Sequence, residues 1–384
     1  MIRIGIIGLG GMGRGHAGYL SAGEVPGATL AAIADVSPVA HEWAKTHLDD
    51  HVRRFETADA MMDSGGIDGV IVSTPHYYHP PLAIAALKRG LHALVEKPAG
   101  VYVKQVREMN EAAEASGRVF GIMFNQRTRA IHQKVKALVE SGEIGEIRRT
   151  QYVITDWFRS QSYYDSGGWR ATWSGEGGGV LVNQAPHNLD LWQWICGMPT
   201  RVRAFCGFGR FHNIEVEDDV TAYVEYANGA NGVFITTTGE APGSNSLEII
   251  GDRGRLRMEG NTVTFWRTAQ PVGEFLRTSP TGFAKPETWK CDIPVPGGEA
   301  NEHRTITRNW VAAISEGKPL LAQGTEGIHG VQLANAMLLS AWTDDWAAVP
   351  TDEERFYQLL QEKIAASTFQ KQSDGKALDF TGTF

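Results

Sequence analysis

Apolar residues in the first third of the chain form short runs that alternate with longer amphipathic stretches. The run at residues 2–7 leads into a glycine turn and a predicted helix at about residues 12–22, and a second run at 29–34 ends in Asp35. The pattern then repeats, with predicted strands at 70–73, 91–95 and 119–124 and predicted helices at 81–88 and 105–115. Short apolar strands alternating with helices are typical of a parallel sheet covered on both faces. We therefore predict an α/β N-terminal domain, a doubly wound Rossmann sheet over residues 1–126.

The pattern changes after this point, because strand-like segments follow one another without intervening helices. A predicted helix at 130–139 precedes predicted strands at 148–156, 201–211, 220–226, 232–238, 247–250, 256–259 and 263–267. Residues 269–298 are rich in Pro, Gly and Thr and are predicted to form a long loop. Helices are predicted again at 305–315, 327–346 and 352–369. We predict a second, α+β domain over residues 127–384, with an open, mostly antiparallel sheet and C-terminal helices that can pack back on the Rossmann domain.

Composition narrows the class of protein. The 384 residues are 42% hydrophobic and carry 36 Lys and Arg against 44 Asp and Glu, a net charge of -8. This balance gives no electrostatic footprint for nucleic acid or an anionic membrane, and no segment resembles a membrane span. The three cysteines, Cys196, Cys206 and Cys291, have neither disulfide-framework nor zinc spacing. We expect a cytoplasmic protein that binds no nucleic acid, no membrane and no metal.

The glycine turn after the first strand has the pattern of a dinucleotide-binding site. Its candidate cofactor contacts are Gly8, Gly10, Gly11, Met12 and Gly13. In this motif the glycines permit a tight turn, close approach of a pyrophosphate and close packing of helix on strand. Asp35, at the end of the second strand, is placed to accept hydrogen bonds from the adenosine ribose and would repel the 2'-phosphate of NADP. NAD is therefore favoured over NADP, and the alternative is a structural glycine turn that binds no nucleotide.

Several further motifs occur in a fixed order along the chain. Glu96-Lys97-Pro98 follows a predicted strand, and Ser73-Thr74-Pro75-His76 with His79 precedes it. Trp169-Arg170 and the segment from Gly177 to Asp190 come later. Over about residues 1–350 this order resembles the Gfo/Idh/MocA oxidoreductases. The resemblance implies a Rossmann domain, an α+β domain whose open sheet forms a homodimer or homotetramer interface, and an active site between the two domains.

The resemblance also implies a reaction and the residues that perform it. Members transfer hydride between a nicotinamide cofactor and a sugar, polyol or related alcohol, and the catalytic pair maps to Lys97 and His187. Further cofactor contacts are expected at Ser73, Thr74, Pro75, His76, His79, Glu96, Lys97, Asn125 and Arg170. Substrate contacts are expected at Lys97, Arg127, Asp156, Trp157, Tyr164, Trp169, Asn183 and His187. The Lys97–Pro98 bond is expected to be cis.

One position departs from the family pattern. Asn183 stands where many members have Asp, and an amide can hold a sugar hydroxyl but cannot accept a proton as a base. The i, i+4 spacing of Asn183 and His187 predicts that both face one pocket from a helix, which Pro186 interrupts or kinks. Oxidation of an alcohol requires a base near neutral pH. Lys97 needs a lowered pKa for that role and His187 needs less tuning, and the sequence leaves open which of them is the base.

An aromatic segment suggests the class of substrate. Six aromatic residues lie between Thr155 and Gly175: Trp157, Phe158, Tyr163, Tyr164, Trp169 and Trp173. Aromatic faces beside Asp156, Arg159 and Arg170 suit a pyranose, which stacks its C–H face and pairs its hydroxyls. The alternative is a tryptophan-rich lid that packs on the core, or a contact between subunits.

Three functions are compatible with these observations. The first is an NAD-dependent dehydrogenase of a sugar, polyol or glycoside. The second is an enzyme that retains NAD and uses transient oxidation to break or rearrange a glycosidic bond. The third is a non-catalytic regulator that senses sugar and NAD on the same fold, against which the intact Lys97 and His187 argue.

Overall fold

The computed structural model describes residues 1–297 and 301–371. Its N-terminal part alternates strands and helices: β1 (Ile2–Ile7), α1 (Gly11–Ser21), β2 (Ala28–Ala34), α2 (Pro38–His47), β3 (Arg53–Phe55), α3 (Ala58–Asp63), β4 (Gly69–Val72), α4 (His79–Lys88), β5 (His92–Val95), α5 (Val103–Ser116) and β6 (Phe120–Ile122). All paired strands are parallel, in the order β3-β2-β1-β4-β5-β6. This is the doubly wound Rossmann order predicted from the sequence, and its direction of winding reverses between β1 and β4.

The second part of the chain begins with α6 (Ala130–Glu140) and is built on a nine-stranded sheet. Its elements are β7 (Ile147–Ile154), α7 (Gln161–Asp165), α8 (Pro186–Cys196), β8 (Arg201–Phe208), β9 (Glu217–Glu225), β10 (Asn231–Thr237), β11 (Asn245–Gly251), β12 (Gly254–Glu259), β13 (Thr262–Thr268), α9 (Val272–Thr278), β14 (Thr288–Ile293), α10 (Glu302–Glu316), α11 (Gly327–Thr343), β15 (Ala347–Ala348) and α12 (Glu353–Ala366). The strand order is β14-β13-β12-β11-β7-β10-β9-β8-β15. Only β7 and β10 pair in parallel, so the predicted mostly antiparallel sheet is confirmed.

The segment predicted as a long loop, residues 269–298, is where the structure differs most from expectation. It contains α9 and the edge strand β14, which pairs with β13 along its whole length. Its last residue, Gly298, and residues 372–384 of the second predicted domain lie outside the described residues. Residues 288–293 do alternate polar and apolar residues, and four of the six are exposed, as an edge strand tolerates. The prediction failed because the Pro, Gly and Thr content of the whole segment was given more weight than this short alternation.

Predicted and observed helix ends differ by a few residues at several places, and two of these differences have a local cause. The helix predicted at 327–346 ends at Thr343, because Asp344 adopts a left-handed conformation with φ of 52°. The helix that carries His187 begins only at Pro186, which occupies its first turn. Asn183 therefore lies in the turn before the helix, and the prediction that Asn183 and His187 share a helix face is wrong.

Helix α10 completes the core of the Rossmann domain although it follows the second sheet in sequence. Ile306, Trp310 and Val311 are buried with the side chains of the parallel sheet. A Cβ at Gly69 of β4 would lie 2.9 Å from the Trp310 ring, so glycine in that strand makes room for the indole. The Lys97–Pro98 bond is cis, as expected from the resemblance. No helix within the described ranges is long and apolar enough to cross a membrane.

Candidate active site

The glycine turn between β1 and α1 has the geometry that a dinucleotide requires. Gly8 has a φ of +91°, and a Cβ there would lie 2.7 Å from the Ser73 carbonyl oxygen. A Cβ at Gly13 would lie 1.9 Å from the Gly8 carbonyl oxygen, so only glycine lets the helix approach the turn this closely. Around Gly10, by contrast, the space within 4 Å of a Cβ is open. That open space lies at the N-terminus of α1, where Gly11 and Met12 begin the helix and an anion is favoured.

Asp35 is fixed beside this turn by two backbone groups. Leu9 donates its N–H to Asp35 Oδ2 at 2.6 Å, and Ser37 donates its N–H to Asp35 Oδ1 at 2.8 Å. Each carboxylate oxygen keeps a free lone pair for a ribose hydroxyl. The sequence analysis missed Arg14, whose guanidinium donates to the Leu9 carbonyl and stacks 5.0 Å from the Trp43 ring centroid. A cation is therefore present at the ribose end of the site, contributed by α1 rather than by residues 36–41.

Polar atoms at the C-terminal edge of the parallel sheet are buried and unpaired. Among the described residues, those without a hydrogen-bond partner include Ser73 Oγ, Thr74 Oγ1, His76 Nδ1 and Asn125 Oδ1. Ser73 follows β4 directly, Pro75 and His76 continue the same loop, and Asn125 lies after β6. Buried polar groups normally find partners, so these atoms indicate a ligand with several hydrogen-bonding groups. The hydroxyls and carboxamide of a nicotinamide nucleotide fit this requirement, and the residues present therefore suit NAD.

His79 and Glu96 support the cofactor loops from behind. His79 is buried, with Nδ1 at 2.7 Å from the Pro98 carbonyl oxygen and Nε2 at 2.7 Å from that of Thr74. Burial lowers the pKa of His79 below its usual value despite both contacts. His79 thus joins the loop after β4 to the loop after β5. Both of its ring nitrogens contact backbone carbonyl oxygens of the protein.

Glu96 begins a buried hydrogen-bond chain that the sequence analysis missed. His16 donates to Glu96 at 2.7 Å, Tyr19 lies 2.5 Å from the other ring nitrogen of His16, and Thr307 of α10 lies 2.7 Å from the Tyr19 hydroxyl. Burial opposes ionisation of Glu96, but the hydrogen bond and charge of His16 lower its pKa to about 2. The carboxylate next to Lys97 is therefore charged and tied to α1 and α10.

Lys97 crosses from the Rossmann domain to the second domain. Its Nζ donates a hydrogen bond to the backbone carbonyl oxygen of Asn183 at 2.8 Å. Burial lowers the pKa of Lys97 to about 8; Glu96 opposes this shift, and the guanidinium groups of Arg170 and Arg159 add to it. A lysine with this pKa is partly neutral near physiological pH and can accept a proton.

His187 lies in the first turn of α8, with its ring 6.4 Å from that of Phe124. Its Nδ1 is buried and has no partner among the described residues. Burial, reinforced by the charge of Lys97, holds the pKa of His187 well below 6.5, so the imidazole is neutral. A neutral imidazole can donate one hydrogen bond and accept another, which suits a group that orients a hydroxyl.

The carboxylate nearest to Asn183 comes from Glu176, a residue the sequence analysis passed over. Asn183 donates its side-chain N–H to Glu176, and the Ala171 N–H donates to the other carboxylate oxygen at 2.6 Å. Arg170 lies 4.0 Å away, and Glu176 is 1% exposed. Burial raises the pKa of Glu176 above its usual value. Although Asn183 carries no charge, this site therefore contains an acidic group, contributed from seven residues earlier in the chain.

Part of the aromatic segment surrounds these polar groups. Trp169 packs edge-on against His76 with ring centroids 5.1 Å apart, and the Arg170 guanidinium lies 4.5 Å from the Trp169 ring centroid. Tyr163 accepts a hydrogen bond from Arg170 at 2.8 Å. Trp157 donates its indole N–H to Asn188 of α8 at 2.9 Å. The structure thus joins Trp157 to the helix that carries His187, and Trp169 to the loop after β4.

Other predicted substrate contacts lie elsewhere. Tyr164 is 2% exposed and hydrogen-bonds Thr238 at 2.7 Å, and Trp173 is 5% exposed in the core of the second domain. Asp156 is exposed and accepts a hydrogen bond from Asn245 at 3.0 Å. Tyr164 and Trp173 therefore pack on the core, as the alternative interpretation of the aromatic segment predicts.

Arg127 also differs from its predicted role. Its guanidinium is 1% exposed, donates to Asp190 at 2.8 and 2.6 Å, and is paired with Glu326. With both carboxylates in contact, Arg127 has no free face for a sugar. Its assignment to the substrate is therefore corrected to a buried ion pair that joins the segment after β6 to α8. No group of three or more potential metal ligands occurs in the described part of the chain.

Comparison with known proteins places this geometry in a family. The family model for the oxidoreductase family with an NAD-binding Rossmann fold matches residues 2–124, and the Gfo/Idh/MocA C-terminal domain model matches residues 132–257. Levoglucosan dehydrogenase of Pseudarthrobacter phenanthrenivorans is 28% identical over 91% of this chain and 98% of its own length. The scyllo-inositol 2-dehydrogenase (NAD(+)) of Bacillus subtilis is 25% identical over 66% of this chain and 73% of its own.

A solved structure extends the similarity to three dimensions. The WlbA dehydrogenase of Bordetella pertussis, in complex with NADH and UDP-GlcNAcA, superposes with a TM-score of 0.76 at 26% identity, covering 91% of this chain and 99% of its own. Together the two family models cover more than half of the chain, including the whole parallel sheet and the first strands of the second sheet. The chain belongs to the Gfo/Idh/MocA family of NAD-binding oxidoreductases, a family of dehydrogenases that act on sugar and polyol alcohols.

Proposed function

We propose that this protein transfers a hydride between a secondary alcohol of a sugar, polyol or glycoside and NAD, with Lys97 and His187 as its acid–base pair. The observation that carries the proposal is the position of Lys97, a half-buried lysine after β5 whose Nζ donates to the backbone carbonyl of Asn183 in the second domain. Its lowered pKa, about 8, suits the role of a base. Relatives named for levoglucosan, inositol and a nucleotide sugar acid support a carbohydrate substrate.

In the oxidation direction Lys97 acts as the base. The neutral amine takes the hydroxyl proton onto Nζ, while the Asn183 carbonyl, 2.8 Å away, keeps the amine directed into the cleft. The cofactor supplies the hydride acceptor when bound, held by the glycine turn, Asp35 and the unpaired groups after β4 and β6. The charged Glu96 beside Lys97 stabilises the ammonium that results.

His187 orients the substrate in this proposal. Because its pKa is well below 6.5, it remains neutral throughout the working pH range, and a neutral imidazole is a weak acceptor for the proton compared with Lys97. Its unpaired ring nitrogen instead offers a hydrogen bond to the reacting or the neighbouring hydroxyl. We therefore propose Lys97 as the base, a choice that the sequence leaves open.

NAD is the proposed cofactor in preference to NADP. The Asp35 carboxylate faces the ribose end of the site and would repel a 2'-phosphate. Arg14 of α1 is a cation next to the same turn, but its guanidinium is engaged by the Leu9 carbonyl and the Trp43 ring. We expect Asp35→Ser to remove the repulsion and to shift the ratio of kcat/KM values toward NADP by about 100-fold.

We also propose that two or four copies of the chain associate through the second domain's sheet. Its outer face exposes Phe205 to 61% and Tyr223 to 39% on neighbouring strands β8 and β9. Helix α11 covers the opposite face. Light scattering is expected to show an oligomer that Phe205→Asp dissociates. A cytoplasmic location is part of the same proposal and is supported by three unpaired cysteines.

The first experiment combines the purified protein with NAD, or with NADP, and a panel of monosaccharides, inositols and simple glycosides. Formation of reduced cofactor is followed at its absorbance band. We expect reduction of NAD with one class of sugar and loss of at least 1,000-fold in kcat in Lys97→Met. Lys88→Met, at the exposed end of α4, is the matched control and keeps full activity.

Two results would contradict the proposed dehydrogenase. A sugar that is cleaved or rearranged without net NADH would favour the NAD-retaining enzyme. Micromolar NAD binding with no chemistry on any sugar would favour the non-catalytic sensor.

A further inference from the structure

Two arginines of the aromatic segment stack on one tyrosine ring. The guanidinium carbon of Arg159 lies 5.1 Å from the Tyr163 ring centroid, and that of Arg170 lies 4.7 Å from it. Arg159 also lies 5.5 Å from the Trp157 ring centroid. Two like charges thus share one aromatic residue in a partly buried place, where their mutual repulsion is screened less than at the surface.

The carboxylates near Arg159 and Arg170 do not balance their two positive charges. Arg170 has Glu176 at 4.0 Å, although Glu176 also holds the Asn183 side chain and the Ala171 N–H. Arg159 has no carboxylate within 4.0 Å in the described part of the chain; its Nη1 donates only to the neighbouring Phe158 carbonyl at 2.9 Å. Its Nε is buried and has no partner among those residues. An arginine with unused donors is the usual partner of a carboxylate or phosphate.

The arginines lie on the substrate side of the site. Arg170 lies 4.0 Å from Glu176, Glu176 holds the Asn183 side chain, and the Asn183 backbone carbonyl accepts a hydrogen bond from Lys97 Nζ. Arg159 stacks on the same Tyr163 ring as Arg170, and both guanidinium charges lower the pKa of Lys97. The cofactor's phosphates are accounted for at the other end, by the open space around Gly10 and the N-terminus of α1. The anion that would compensate Arg159 and Arg170 therefore belongs to the substrate rather than to the cofactor.

We infer that the substrate is an anionic sugar, with a carboxylate or phosphate that binds Arg159 and Arg170 while a ring hydroxyl reaches Lys97. This inference rests on the proposed dehydrogenase function and narrows its substrate class. The Trp157 and Tyr163 rings beside the guanidinium groups provide apolar faces for the C–H side of the same sugar. The buried Gln184, whose side-chain oxygen is unpaired and whose N–H donates to Tyr163 at 3.0 Å, offers an acceptor for a hydroxyl.

The test compares each anionic sugar with a neutral counterpart. Initial rates with NAD are measured for glucuronate, glucose 6-phosphate, neutral glucuronamide and glucose, and for the matching galactose series. We expect kcat/KM for one of the anionic forms to exceed that of its neutral counterpart by about 10- to 100-fold. The carboxylate and phosphate arms identify which anion the site accepts.

Variants show whether Arg159 recognises charge or only braces the segment. Arg159→Gln is expected to lower kcat/KM for the anionic sugar by about tenfold more than for its neutral counterpart, because the loss of the charge acts on Lys97 with either sugar but removes a binding partner only from the charged one. Arg255→Gln is the matched control, because Arg255 also stacks on an aromatic ring, Trp266 at 4.1 Å, but on the distant strand β12. Equal rates with charged and neutral sugars, or an equal loss for both in Arg159→Gln, would overturn the inference.

A binding measurement separates this inference from the proposed function. Titration of the NAD-bound protein with glucuronate or glucose 6-phosphate is followed by tryptophan fluorescence, which does not depend on turnover. Saturable quenching that Arg159→Gln abolishes supports the anion site even if no sugar is oxidised, in which case only the dehydrogenase proposal fails. Quenching by neither anion, alongside turnover of neutral sugars, leaves the dehydrogenase intact and rejects the anion site.

Discussion

At the scale of single residues, the chemistry of the site depends on how burial and neighbouring charges tune Lys97. Because its pKa is lowered to about 8, the fraction of neutral amine rises as the pH rises through 8. We expect kcat for alcohol oxidation to increase about tenfold per pH unit below this value and to level off above it. The pH–rate profile measures this, and a profile that is flat between pH 6 and 9 would exclude Lys97 as the base.

Glu176 is expected to position the site rather than to touch the substrate. Its negative charge raises the pKa of Lys97 and its oxygens hold Asn183 and the N–H of Ala171, a non-glycine residue with φ of 63°. Glu176→Gln should shift the acid limb of the pH–rate profile to lower pH and reduce kcat by about 10-fold or more. Glu240→Gln, an exposed control after β10, should leave the limb in place. An unmoved limb in Glu176→Gln would reduce its role to packing.

At the scale of elements, the β1–α1 turn depends on close contact that only glycine allows. Gly13→Ala would bring a methyl group against the Gly8 carbonyl, so the helix must move away from the turn. We expect NAD affinity to fall by at least tenfold, measured by isothermal titration. Gly15→Ala lies on the same helix with nothing within 4 Å of its Cβ, so it should keep affinity and stabilise the protein by about 0.5–1 kcal/mol. Equal affinities for the two variants would contradict the close-packing argument.

Local sequence signals predicted the elements well, and long-range pairings account for what they missed. The glycine turn and Asp35 follow directly from the strand–turn–helix pattern, because each lies at the end of its own strand. The position of Lys97 after a strand follows in the same way, but its role comes from the family resemblance. Arg127 was misassigned because its partner, Asp190, is 63 residues away. Glu176 and Asn183 meet only through the irregular turn before α8, for which hydrophobic periodicity carries no signal. Arg159 lies in a segment recognised by composition, but its lack of a carboxylate partner is a property of the folded chain.

At the scale of the whole molecule, the nucleotide-binding domain owes part of its stability to a distant segment. Trp310 is fully buried against the parallel sheet. Trp310→Ala should lower the free energy of unfolding by about 3–5 kcal/mol, since it leaves a large cavity. Urea unfolding followed by circular dichroism measures the loss. Trp289→Ala, 44% exposed on edge strand β14, should cost less than about 1 kcal/mol, and similar losses for both would refute the assignment.

Helix α10, which carries Trp310, also has a consequence for the order in which the chain can complete its contacts during synthesis. In the complete chain, the surface of the parallel sheet at Gly69 packs against an indole that is translated some 240 residues later. Until α10 emerges, Tyr19 also lacks Thr307, the last member of the chain that leads to Glu96 and the Lys97 loop. A truncated or stalled chain therefore has a nucleotide-binding fold with an uncovered apolar face. Completion of the C-terminal half becomes the step that commits the nascent enzyme to its native cofactor site.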